Sequence, residues 1–323
     1  MKKTIIAASM MLITASGFAQ VVRSHSSEQS MTPASVGNAE IEKSYNRIGI
    51  SYTNTHYGFN EQAKTLIKGE MDEEIKKEIT GLNTNGFSID YAHGWSLSSK
   101  LPMYLEAGIR FGFNTGSLTI FDESVREGGY NIDVNGKVHL QNINFTVPVN
   151  FVWKFNVNAF NQNLVIAPYT GINFRLNASM RGRLKQDVSG NLPGEFMDYL
   201  DDYKVDTKWF NLFSSDKIYD MMIGTQGDGS YIPDEEEEAE YRGIAENLTF
   251  KRFQMGWQIG VNFEYRNYCL GLEYGLDFLP AYSHKWNYEE DVYVPGAGYV
   301  YVPVTFDTRV NTGTFRLSLG YKF

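Results

Sequence analysis

Apolar and polar residues alternate along much of this chain with a period of two, which predicts strands because successive side chains of a strand point to opposite faces. Eight segments carry the pattern. The first sets Ile48, Ile50 and Tyr52 against Gly49, Ser51 and Thr53, and the second sets Phe87, Ile89, Tyr91, Trp95 and Leu97 against Ser88, Asp90, Ala92, Gly94 and Ser96. The third places Met103, Leu105, Ala107, Ile109, Phe111 and Phe113 on one face. A fourth extends from Ile143 to Phe155 and a fifth, the least regular, from Ile166 to Leu176. The sixth and seventh, Phe253 to Tyr265 and Tyr268 to Phe278, are separated only by Arg266-Asn267 and predict a hairpin. The eighth is FRLSLGYKF, with Phe315, Leu317, Leu319, Tyr321 and Phe323 on one face.

No Asp, Glu, Lys or Arg falls on these apolar faces, although 21% of the chain is charged, and His93 is the one titratable residue there. That exclusion fits strands whose outer side meets lipid and whose inner side is polar or small. A soluble β-sandwich also alternates, but it has no need of aromatic residues at both ends of so many strands. Link lengths alternate as well. Short links follow the second, fourth and sixth segments, while long ones run from Gly58 to Asn85, Thr115 to Gly136, Asn177 to Phe250 and Leu279 to Thr308. The expected fold is therefore all-β: an eight-stranded antiparallel up-and-down transmembrane β-barrel, with long extracellular loops and both termini in the periplasm. Ten strands result if part of the third loop supplies another hairpin.

The ends of the chain bear on location. Lys2 and Lys3 precede an apolar stretch from Thr4 to Thr14, and Gly17-Phe18-Ala19 supplies a small-residue cleavage site, so residues 1–19 read as a secretory signal peptide. Residues 20–44, rich in serine and without periodicity, read as a flexible periplasmic lead-in to a barrel domain over 45–323. No segment offers about 18 consecutive apolar residues for a membrane helix. The composition, with 15% aromatic residues and 30 glycines, favours strands and tight turns, and the net charge of -9 argues against nucleic acid as a partner. A single cysteine, Cys269, excludes an intramolecular disulfide. Neither a glycine-rich phosphate loop nor a Cys and His cluster at metal spacing is present, so no cofactor or metal is expected.

With its leader, its strand and turn rhythm and the FRLSLGYKF ending, the chain resembles the small outer-membrane barrels of Gram-negative bacteria. That porin-like group contains the transmembrane domain of outer membrane protein A. The resemblance covers roughly Arg47 to Phe323. It implies that Phe315, Leu317, Leu319, Tyr321 and Phe323 form the signal read by the barrel-assembly machinery, and that outer-membrane lipid surrounds the barrel. The chain departs from the two-domain members in having no peptidoglycan-binding domain after the eighth segment.

Eight strands enclose a lumen that side chains can fill. Asp90, Glu106, Glu264, Glu273 and Asp277 face inward, as do Arg110, Lys154, Arg175, Arg316 and Lys322. Equal numbers of each sign suggest a paired network, where a selective channel would show one sign. A turn centred near Lys100 puts Asp90 opposite Arg110 and predicts an ion pair between them. Outside the membrane, most of the acidic excess lies between Arg181 and Glu246. Its run from Asp234 to Glu238, followed by Glu240, reads as a solvated acidic face, since it lacks the spaced ligands of a calcium loop. Ala63, Ile67, Met71, Ile75 and Ile79 recur at steps of four and predict a short helix in the first loop. Pro295-Gly296-Ala297-Gly298 marks a hairpin tip in the fourth loop.

The functional expectation is a non-enzymatic envelope protein whose barrel anchors it and whose loops bind an extracellular glycan or protein or support envelope integrity. A small diffusion channel is the alternative. A third class, a barrel enzyme acting on lipid A or peptides, needs a nucleophile or activated water beside a base at the outer rim. His56, His139 and His284 are the histidines placed there, none within a His-x-Ser or paired-acid motif, while His93 and His25 lie at the other end.

Overall fold

The computed structural model describes residues 35–39, 41–68, 81–127, 130–159, 162–191, 204–224, 232–294 and 298–323. The signal-peptide segment, most of the lead-in with His25, and Met71, Ile75, Ile79 and Pro295-Gly296-Ala297 lie outside the described residues. In chain order the elements are β1 (Ser35–Asn38), β2 (Ser44–Phe59), α1 (Glu61–Lys68), β3 (Gly81–Ser96), β4 (Met103–Glu127) and β5 (Tyr130–Trp153). There follow β6 (Phe155–Ala159), β7 (Gln162–Asn191), β8 (Val205–Asp206), β9 (Phe210–Asn211), α2 (Ser215–Gly224) and α3 (Glu235–Asn247). The chain then runs through β10 (Phe253–Tyr265), β11 (Tyr268–Asp277), β12 (Tyr282–Val294) and β13 (Gly298–Lys322).

Strands β2, β3, β4, β5, β7, β10, β11 and β13 pair in that order, every pair antiparallel. Strand β13 returns to β2 with Lys322 beside Arg47 and Val310 beside Phe59, which closes the ring. The fold is an eight-stranded up-and-down transmembrane β-barrel. Short β8 and β9 lie on the upper edge of β7 and add no strand to the ring. Closure leaves no unpaired edge along the lipid-facing wall.

The alternation sorts cleanly between the two faces. Ile50, Tyr268 and Phe323 are 63%, 62% and 60% exposed, as are their outward companions to a lesser degree, whereas Ser51, Asn150 and Gln258 on the inward face are buried. Large apolar residues left exposed in an unbroken belt are what a bilayer, acting as solvent, requires. No helix among the described residues is long and apolar enough to cross a membrane.

Five features confirm, extend or correct the sequence reading. The stretch from Thr115 to Gly136 is not an open loop: β4 and β5 stay paired up to Glu127 and Tyr130, and β7 continues beside β5 as far as Asn191. A three-stranded sheet thus rises beyond the lipid belt. On the opposite side β12 and β13 form the expected hairpin, with Val294 paired to Gly298. Ser35–Asn38, within the stretch expected to be a flexible lead-in, pairs with Asn38 beside Phe155 on the edge that β6 offers. The acidic run opens helix α3: Asp234 caps it by accepting from the Glu236 and Glu237 N–H groups, and the Glu237 carboxylate accepts in return from the Asp234 N–H. Four glutamates in that first turn meet the positive end of the helix dipole. Helix α1 contains Ala63, which is buried, and starts from Asn60, whose side chain accepts from the Ala63 N–H at 3.1 Å and donates to the Asp307 carbonyl at 2.6 Å.

The Arg266-Asn267 turn joins β10 and β11 with Arg266 at φ 53°, a left-handed conformation that costs a side-chain-bearing residue about 1–2 kcal/mol. Glycine suits that first turn position. Arg266→Gly should therefore stabilise the barrel by about 0.5–1 kcal/mol after the extra chain entropy of glycine is counted, seen as a higher urea midpoint for unfolding.

Candidate functional site

The inward residues of the eight strands build a continuous polar column. At the end near the chain termini, Lys154 is 2% exposed and lies 3.8 Å from the centroid of the Tyr45 ring, donating to Glu264 at 3.2 Å. Lys322 donates to the same carboxylate at 3.0 Å and to Glu42 at 2.9 Å. Glu42 also donates its backbone N–H to the Tyr104 hydroxyl at 2.9 Å. The segment before β2 thereby supplies a carboxylate to the lumen.

One level up, Glu106 accepts from Arg47 at 2.9 Å, from the Tyr45 hydroxyl at 3.0 Å and from Asn150 at 3.3 Å. Tyr45 finds room because Gly94 lies beneath its ring; a Cβ there would stand 2.4 Å from ring carbons. At mid-height Glu273 is the hub. Arg110 grips it with both terminal nitrogens at 2.9 and 2.8 Å, the Tyr169 hydroxyl donates at 2.8 Å, and Arg316 donates as well. Higher still, Arg175 donates to Asp277 at 2.8 Å and to Thr314 at 3.1 Å, and Thr312 donates to Asp277. A polar cavity of about 40 Å³ sits beside this level, lined among others by Ser88, Asn144 and Asn173.

Asp90 and Arg110 are directly opposite each other on β3 and β4, as the turn near Lys100 requires. They do not form the expected ion pair. Arg110 reaches across to β11, on the far side of the ring, where Glu273 offers two oxygens to its planar fork. Asp90 has a short side chain and accepts instead from Ser51 on the adjoining strand at 2.9 Å. Two members of the column were missed. Arg47 falls on the inward face once the first alternating segment is extended back past Ile48. Glu42 lies in a stretch without periodicity, and nothing in its neighbours announces it. With these two added to the ten expected groups, cations and carboxylates in the column are equal in number.

Apolar side chains cluster toward both ends of the column. Tyr45, Tyr104, Val152, Ala167 and Tyr169 pack together near the termini. At the other mouth Tyr57, Leu82, Leu140, Met180, Tyr282 and Val310 meet, with Leu212, Phe213 and Phe250 of the third loop packed against them.

The histidines stand apart from the column. The His56 imidazole shares a hydrogen bond with Asn83 at 2.8 Å, His93 with Asn46 at 2.7 Å, and His284 lies edge-on to Trp286. His139 is paired across strands with Arg183. Beyond the membrane-spanning segments, the Arg183 guanidinium, 2.6 Å from Asp206, holds that carboxyl below the usual carboxylate range by hydrogen bonding. No cluster of His, Cys, Asp and Glu among the described residues has the geometry of a metal site.

No protein-family model matches the chain, and no curated protein is similar to it in sequence. Solved structures show distant likenesses. Ail, the attachment invasion locus protein of Yersinia pestis, is 12% identical, covers 87% of this chain and 100% of its own, and gives a TM-score of 0.30. Neisserial surface protein A is 9% identical over 90% of this chain and 100% of its own, with a TM-score of 0.26. A major outer membrane protein from Thermus thermophilus is 13% identical over 85% of this chain and 99% of its own, at 0.27. With values this low, the fold stands on the strand ring itself. An antiparallel closed ring with an apolar belt outside and a polar column inside is a barrel of the outer-membrane type.

Because Glu273 neutralises two buried arginines while Asp90 meets only a hydroxyl, the two carboxylates should differ in weight. Glu273→Ala is expected to cost about 3–5 kcal/mol by leaving Arg110 and Arg316 uncompensated, and Asp90→Asn less than about 1.5 kcal/mol. Urea unfolding of the two purified variants, followed by tryptophan fluorescence, measures the difference.

Proposed function

We propose that this protein is a non-enzymatic envelope barrel, held in the outer membrane as an anchor, whose lumen does not conduct and whose outer extensions present a binding surface. The observation that carries this reading is the continuous column of matched charge with an apolar cluster at each end. General porins use about 16 to 18 strands to leave a water-filled channel, whereas eight leave room only for side chains.

Orientation follows from link length. The tight links at Leu97–Pro102 and Arg266-Asn267 lie at the same end as Ser44 and Lys322, and the extended sheet, the hairpin and helices α2 and α3 lie at the other. Short turns face the periplasm in barrels of this type, so both ends of the ring lie there and the extensions face outward. The charged leader at Lys2 and Lys3 supports export. Phe315, Leu317, Leu319, Tyr321 and Phe323, all exposed on the last strand, suit recognition by the barrel-assembly machinery. Acidic α3 and the sheet of β4, β5 and β7 offer an extracellular glycan or protein ligand a rigid platform, since loops on a fixed scaffold are where binding concentrates.

Planar-bilayer recording tests the closed lumen. The wild-type protein should give no steady conductance, and a variant lacking residues 204–249 should remain equally silent because the paired column is intact. A steady ohmic current from the wild type would establish a diffusion channel. Changed lipid A masses in cells that express the protein would establish an enzyme instead.

A further inference from the structure

The charges of the column balance as a whole but not level by level. The polar cavity beside the Arg175 level takes a wall residue from every strand of the ring, among them Thr53, Ser88, Asn144, Asn173 and Gln258. Three arginines, Arg110, Arg175 and Arg316, stand in that wall against one carboxylate among the described residues, Glu273. Counting Asp277, which accepts from Arg175, still leaves one cation in excess. Asp90 restores the sum over the whole column, yet it accepts from Ser51 at 2.9 Å and does not line the cavity.

Hydrogen-bond donors are in surplus at the same level. Arg110 donates to Glu273 and Gln258, Arg175 to Asp277 and Thr314, and Arg316 to Glu273. A guanidinium carries five N–H groups, so each of the three keeps some that have no partner among the described residues. Three more wall residues are buried and hold a polar atom without a partner among the described residues: Ser88 at Oγ, Asn142 at Oδ1 and Asn173 at Oδ1. Unpaired polar atoms in such a place are costly, and these walls call for a polar occupant. The Ser88 hydroxyl can donate, and the Asn173 amide, which no other bond fixes, can turn its NH2 inward. Asn142 is fixed, because its Nδ2 donates to the Tyr57 hydroxyl at 3.2 Å and to Asn177 at 3.0 Å. Its Oδ1 can only accept.

We infer that this cavity binds a small monovalent inorganic anion, of the size of chloride, together with water. The local excess of arginine selects the sign, and a cation there would meet three like charges at close range. Spare guanidinium N–H groups, the Ser88 hydroxyl and the Asn173 amide are the ligands. A water that donates one hydrogen to Asn142 Oδ1 and the other to the anion satisfies the remaining acceptor. The volume of about 40 Å³ admits about three water-sized occupants, enough for the ion and its water but too little for phosphate or an organic carboxylate. The ion would then act as a further counter-charge, allowing Arg110 and Arg316 to share Glu273.

Gly275 provides the means of testing this. It lines the cavity, and a Cβ there would stand 3.6 Å from Asn173 Nδ2 and from the Trp257 carbonyl, an ordinary contact. Gly275→Val therefore sends its methyl groups into the space while every arginine stays in place. Crystals of the full chain soaked in sodium bromide should show an anomalous peak inside the cavity of the wild type and none there in Gly275→Val. In solution, replacing gluconate by chloride at constant ionic strength should raise the urea midpoint of the wild type as the site fills. Gly275→Val should show no such rise, and Ser88→Ala, which loses one donor to a charged partner, should need about tenfold more chloride for the same rise. Should valine at 275 prevent folding, Ser88→Ala carries the comparison. A wild-type cavity without bromide, a midpoint indifferent to the exchange of gluconate for chloride, or a chloride response unaltered in either variant would each overturn the site and leave water as its occupant.

Discussion

Hydrocarbon offers no partner to a backbone N–H or carbonyl, and the pairing of β13 with β2 is how this chain meets that constraint. Without that seam, two strands would present unpaired edges to lipid along their whole length. With it, the ring has a fixed circumference, and a fixed circumference sets the distance across. Eight strands make the lumen narrow enough for an arginine on β4 to reach a carboxylate on β11. The hub at Glu273 is in that sense a product of the seam.

Much of this architecture was legible because period two is a strong signal when one face must be free of charge. Ile48 to Tyr52, Phe87 to Leu97 and Phe253 to Tyr265 declare both their strands and their outward faces. The register of Asp90 against Arg110 followed from one turn. Their partners did not, because alternation fixes the wall from which a side chain starts and is silent on the wall where it ends. Long Arg110 crosses the lumen; short Asp90 stays beside Ser51. Glu42 escaped for a different reason, since a single carboxylate entering from outside the strands leaves no periodic trace.

The outer extensions were harder still. Thr115 to Gly136 has only weak alternation of apolar and polar residues, yet backbone pairing carries β4 and β5 through it. Helix α3 could have been found: Asp234, with Glu237 three residues later, spells a capping box, and the glutamates that read as a solvated charge run are also the residues a helix start prefers. Charge in this molecule is thus arranged by depth. It is balanced inside, excluded from the belt and negative on the helix farther out, and each layer answers a different neighbour.

The seam is antiparallel and joins the first strand of the ring to the last, while the other pairings within the ring join strands consecutive around the meander. Parity follows from this. Insertion or loss of one strand would turn the seam parallel and place the two ring ends on opposite sides of the membrane. With its seam kept antiparallel and both ring ends on one side, the barrel changes size by whole hairpins, so that the unit of change is then a pair of strands with its turn.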